Sequence, residues 1–68
     1  MADIKRINDI ISSKGLKKSF IAEQIGVSIN GITRKLDGRS EFKAGEIVEL
    51  CRVLGITDPR EKVDIFLR

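Results

Sequence analysis

A chain of 68 residues, 41% hydrophobic and 34% charged, has room for one hydrophobic core and no second, and its composition is neither disordered nor fibrous. It has no histidine and one cysteine, Cys51, which excludes an internal disulfide, the usual Cys/His zinc site and the commonest general base. The net charge of +3 is modest, but between Lys14 and Lys43 seven basic residues (Lys14, Lys17, Lys18, Arg34, Lys35, Arg39, Lys43) stand against three acidic ones (Glu23, Asp37, Glu41), a concentration that suits nucleic acid or a plain solvated basic face.

Apolar residues recur at helical spacing throughout, and no stretch alternates as a half-buried strand does, so the expected class is all-α. Ile4, Ile7, Ile10 and Ile11 form the first stripe, between Asp3 as N-cap and Gly15 as terminator. Ile21, Ala22 and Ile25 mark a short second helix closed by Gly26. Ser28 caps a third, with Ile29, Ile32 and Leu36 at i, i+3 and i+7, ended by Asp37-Gly38. Ile47, Leu50, Cys51 and Leu54 carry a fourth, widened by Val48 and Val53 and ended by Gly55. In the fifth, Asp58 is the cap, Pro59 the first helical residue and Glu61 the partner that completes a capping box, with Val63, Phe66 and Leu67 on the apolar side. No apolar run reaches the roughly 20 residues of a membrane span, and the start at Met1-Ala2-Asp3 is unlike a signal peptide, so a cytoplasmic protein is expected.

The informative segment runs from Lys17 to Gly38. Its Ala22, Gly26, Val27, Ser28, Ile32 and Gly38 resemble the helix-turn-helix of the Cro and lambda-repressor-like family, and the spacing on to Gly55-Ile56 is similar as well. The Arg34-Lys35-Leu36-Asp37-Gly38 ending is similar to small regulators from phages of Gram-positive bacteria. Each match has a physical reason. Ala22 lets two helices cross closely, Gly26 turns sharply between them, Val27 and Ile32 pack the turn and third helix, and Ser28 caps that helix. The resemblance implies a five-helix, lambda-repressor-like DNA-binding domain in which helices 2 and 3 form the helix-turn-helix, with a recognition helix at about Ser28 to Leu36.

If helix three enters the major groove, the residues opposite Ile32 and Leu36 meet base edges. They are Asn30, Gly31, Thr33 and Arg34, with Ser28 and Ile29 leading. Asn30 suits adenine, Arg34 suits guanine O6 and N7, and Thr33 suits a thymine methyl or a phosphate. Ile29 either closes the apolar stripe or meets a thymine methyl. Gly31, which costs about 1 kcal/mol relative to Ala inside a helix, either allows close approach to bases or is an unoptimised position. Lys17, Lys18, Ser19, Lys35, Arg39, Ser40 and Lys43 are the phosphate candidates. Lys17 and Lys43 replace the Ser or Thr caps usual in the family, Lys18 replaces a common Gln, and Lys35 takes a usually apolar position, where its stem is expected to pack and its ammonium to reach outward. Cys51, Phe20 and Phe42 read as packing residues.

The resemblance further implies a homodimer on a palindromic double-stranded operator inside a bacterial or phage-infected cell. Ile65, Phe66 and Leu67, a consecutive apolar run, are the expected dimer interface. Neither a cofactor nor a small-molecule ligand is indicated. The alternative is a protein-interaction module or antitoxin-like adaptor that reuses the fold.

Overall fold

A computed structural model describes residues 2–67. Five helices and no strand occur among them: α1 (Ile4–Lys14), α2 (Lys18–Ile25), α3 (Ile29–Leu36), α4 (Ala44–Leu54) and α5 (Pro59–Phe66). None is long and apolar enough to cross a membrane. Local chemistry sets most of the helix ends. The Asp3 carboxylate accepts the Arg6 N–H at 3.1 Å at the start of α1. Ser28 Oγ accepts the Gly31 N–H at 2.9 Å at the start of α3, and Asp58 Oδ1 accepts the Arg60 N–H at 2.9 Å ahead of Pro59. These bonds satisfy amide groups that a helix start leaves without a partner. Between α2 and α3 the chain reverses at Gly26, whose φ of 79° lies in the left-handed region that favours glycine.

Ile7 and Ile11 of α1, Ile21, Ala22 and Ile25 of α2, Ile32 and Leu36 of α3, Leu50, Cys51 and Leu54 of α4, and Ile65 and Phe66 of α5 are buried together with Phe42 and Ile56 from the connections. Helix α2 packs on both α3 and α4, while α1 touches α3, α4 and α5. The rings of Phe42 and Phe66 meet edge to face, centroids 6.3 Å apart, a favoured arrangement for two aromatic quadrupoles. Cys51 lies inside this core, and burial pushes its thiol up, with Glu61 adding and Lys62 opposing. A protonated thiol is a poor nucleophile.

Four expectations about facing need correction. Phe20 is 45% exposed rather than packed, because the inward side of α2 is filled by Ile21, Ala22 and Ile25. Val48 is exposed and does not widen the α4 stripe, which runs through Leu50, Cys51 and Leu54. On α5 the inward residues are Ile65 and Phe66, while Val63, and Leu67 just past the end of the helix, face out. Two ties to α1 set this rotation. Glu61 pairs with Arg6 at 3.0 Å instead of closing a capping box, and the Ile65 carbonyl accepts the Asp3 N–H. Ile65, with no exposed surface, and Phe66 therefore belong to the chain's own core and are not free to form a dimer contact. Lys35 is the fourth. Its side chain is 9% exposed and its ammonium turns inward to Glu46 at 3.0 Å, so it is not a phosphate contact.

Candidate nucleic-acid interface

Helix α3 is built from a two-sided sequence. Ile32 and Leu36 are buried beneath it, while Ser28, Ile29, Asn30 and Arg34 are exposed and Gly31 and Thr33 half-buried. Asn30 and Arg34 lie four residues apart and so share one side of the helix, as do Ile29 and Thr33. Of the six residues expected to read bases, every one thus reaches the surface, wholly or in part. Ile29 is 51% exposed, so it does not close the apolar stripe. The hydroxyl oxygen of Ser28 accepts the Gly31 N–H as the cap, and a hydroxyl that accepts still has its O–H to donate.

Gly31 has a local cause that the sequence did not disclose. A Cβ built there would lie 3.1 Å from Ser28 Oγ and 3.7 Å from Val27 Cβ, so any side chain would crowd the capping hydroxyl. The glycine leaves room for the cap and keeps the backbone of the first turn bare.

Three interactions fix α3 in place. Its start is held by the Ser28 cap. Its end is held by Asn8 of α1, whose Nδ2 donates to the Leu36 carbonyl at 2.9 Å and to the Ile4 carbonyl at 3.0 Å. Lys35 then joins it to α4 through Glu46. Asn8 and Glu46 were not singled out as functional from the sequence. Asn8 left one signal, a polar residue set four after Ile4 within an isoleucine stripe. Glu46 left another, since it stands three residues beyond the cap position Lys43, where a carboxylate can reach back. It does so, accepting the Lys43 N–H at 2.9 Å, which offsets the missing side-chain cap there.

The charges are arranged unevenly. Ion pairs occupy Lys5 with Asp9, Arg6 with Glu61, Lys35 with Glu46 and Arg52 with Glu49. Among the described residues Lys14, Lys17, Lys18, Arg34, Arg39 and Lys43 are all exposed and in no ion pair. Lys17 and Lys18 stand at the start of α2, with Ser19 exposed beside them, and Lys17 offers no side-chain cap to the helix. Arg39 and Lys43 lie in the segment between α3 and α4, with Ser40 half-buried between them. The Arg39 N–H donates to the Arg34 carbonyl at 2.9 Å, which places the start of that segment directly on the last turn of α3. Arg60 and Lys62 on α5 are the other exposed cations without an ion pair among the described residues, so unpaired positive charge is richest in the stretch from Lys14 to Lys43.

No protein-family model matches the chain, and no curated protein or solved structure matches it either.

Proposed function

We propose that the protein is a sequence-specific, double-stranded-DNA-binding transcriptional regulator of the Cro and lambda-repressor-like kind, in which α2, the Gly26-Val27-Ser28 turn and α3 form a helix-turn-helix. Helix α3 lies in the major groove, Asn30 and Arg34 meet base edges, and Ile29 and Thr33 offer apolar contact to thymine methyls. Lys17, Lys18, Ser19, Arg39, Ser40 and Lys43 take the flanking phosphates. The observation that carries this reading is the combination on α3 of a polar, exposed side with unpaired cations before and after it in the chain. Exposed charges left unpaired in a small domain add little to folding, whereas they attract a polyanion and set where it docks. Two copies on a palindromic operator complete the reading, since one short helix specifies few base pairs.

Selection of bound duplexes from a random DNA pool tests this directly. The expected result is an enriched consensus with two-fold symmetry. A pool that stays random after repeated rounds at low salt rejects DNA reading and leaves the alternative of a protein-interaction module.

A further inference from the structure

The segment from Asp37 to Lys43 carries Arg39, Ser40 and Lys43 yet has no regular structure of its own. Lys35 holds it from inside. Its ammonium lies 3.0 Å from Glu46 Oε1, donates to the Glu41 carbonyl at 3.1 Å and stands 5.9 Å from the centre of the Phe42 ring. The same Glu46 oxygen accepts the N–H of Lys43 at 2.9 Å. Glu41, Phe42 and Lys43, three successive residues, are thereby fixed by one ion pair whose members belong to α3 and α4. At the other end, the Arg39 N–H is bonded to the Arg34 carbonyl. The loop is tied to α3 at both ends, once through backbone and once through a buried cation.

We infer that Lys35 is a positioning residue for phosphate binding: without touching DNA, it fixes the α3–α4 loop in the shape that presents Arg39, Ser40 and Lys43 together. This rests on the reading of α3 as the DNA-reading helix. A loop already ordered in the free protein loses less freedom on binding, so its cations act as a set. The ammonium is spent on Glu46 and on a carbonyl, a geometry that an outward-reaching phosphate ligand would not adopt. A charged pair so little exposed also tolerates the loss of one member poorly, whereas removing both charges together leaves neither one stranded.

The test is a double-mutant cycle read on duplex binding. Lys35→Met keeps the aliphatic stem and removes the ammonium, and Glu46→Gln retains an acceptor for the Lys43 N–H. Circular dichroism and thermal melting are used to establish that the Lys35→Met/Glu46→Gln protein is folded at the assay temperature. Should it not be, Lys35→Gln/Glu46→Gln, which likewise strands neither charge, replaces it in the same cycle under the same criterion. In the wild-type background Arg39→Ala is expected to weaken duplex binding about tenfold; in the altered background, less than about threefold, because the loop no longer delivers Arg39 to its phosphate. The altered background also shows a log-log salt slope shallower by about 0.9 for each phosphate that it no longer neutralises. Equal reductions in affinity in the two backgrounds overturn the inference, since they mean that Arg39 acts independently of Lys35. Absence of duplex binding by the wild-type protein at low salt overturns the DNA reading itself, and that outcome is recognised before any variant is made.

Discussion

Arg34 and Lys18 carry the same charge but hold different places in the proposed interface. Arg34 stands on the exposed side of α3 beside Asn30, where a planar guanidinium can make two parallel bonds to one guanine, while Lys18 is an exposed point charge at the start of α2. Arg34→Ala is therefore expected to cost about 1–3 kcal/mol on the preferred site and to relax base choice at one position, whereas Lys18→Ala weakens all sequences alike. A specificity profile of each variant checks this; unchanged base preferences for Arg34→Ala remove it from the readers. Gly31 gives a second prediction at this scale. Alanine there gains about 1 kcal/mol in helix propensity, but its Cβ meets Ser28 Oγ at 3.1 Å, and the cap must shift by a few tenths of an ångström. Urea unfolding of Gly31→Ala is thus expected to show a gain smaller than that propensity difference, together with weaker duplex binding. A full propensity gain with undiminished affinity would mean that neither the cap nor the bare backbone needs a glycine.

Helix α3 is short, and its own propensity is weak, so its position depends on what grips it: the Ser28 cap, Asn8 and the Lys35–Glu46 pair. The pair predicts a pH dependence. Burial pushes the Glu46 carboxyl up, but the Lys43 N–H, the Lys35 hydrogen bond and the charges of both lysines together pull it below its ordinary 4.5. A carboxyl held lower in the folded state stabilises fully above the unfolded value, and that contribution is lost as pH falls through the lower folded value. Glu46→Gln is accordingly expected to cost about 1–3 kcal/mol at pH 7 and to unfold with a shallower acid dependence, so that the two stability curves approach each other as pH falls below the ordinary carboxyl range and through the lowered folded value. Parallel curves from pH 7 to pH 3 would show that Glu46 contributes no charge-dependent stability. The same grips explain what was legible beforehand. Asp3, Ser28, Asp58-Pro59 and the glycines after α1, α2 and α4 act within one turn of themselves, so the elements and their ends could be read from spacing alone. That Ser28, Ile29, Asn30, Gly31, Thr33 and Arg34 reach the surface, wholly or in part, was legible too, since the buried side of α3 is marked by Ile32 and Leu36. The direction of Lys35 and the rotation of α5 were not, because each is decided by a partner distant in sequence: Glu46 for Lys35, Arg6 and the Asp3 N–H for α5. Phe20 turns outward for a local reason, since Ile21, Ala22 and Ile25 of its own helix fill the inward side.

The described residues span 29 × 23 × 20 Å, and under the proposed reading one eight-residue α3 is too short to select a site among genomic competitors by itself. Salt dependence measures the electrostatic part of its affinity. With six exposed, unpaired cations between Lys14 and Lys43, several phosphate contacts and a steep log-log slope of about −0.9 for each are expected. A slope near zero between two salt concentrations would separate those cations from binding. The proposed reading therefore draws its specificity from pairing. Two copies related by a two-fold would set their α3 helices about 34 Å apart, a spacing that two domains of this size can bridge while still touching. Ile65 and Phe66 are committed to the core, which leaves Val63 on α5 and Leu67 just beyond it, 48% and 72% exposed, as the apolar positions still presented at this end of the chain. Val63 lies on the helix and Leu67 directly after its end, where the Leu67 N–H donates to the Val63 carbonyl at 2.9 Å. Two substitutions at the end of α5 consequently separate folding from the proposed pairing. Ile65→Glu buries an unpaired carboxylate and is expected to unfold the domain. Leu67→Glu leaves the core intact, preserves the helical circular dichroism spectrum and lowers cooperative binding to a duplex with two half-sites, while binding to a single half-site stays unchanged. Binding curves on the two duplexes decide it: if wild type and Leu67→Glu show the same cooperativity, the outward side of α5 is not where two copies meet.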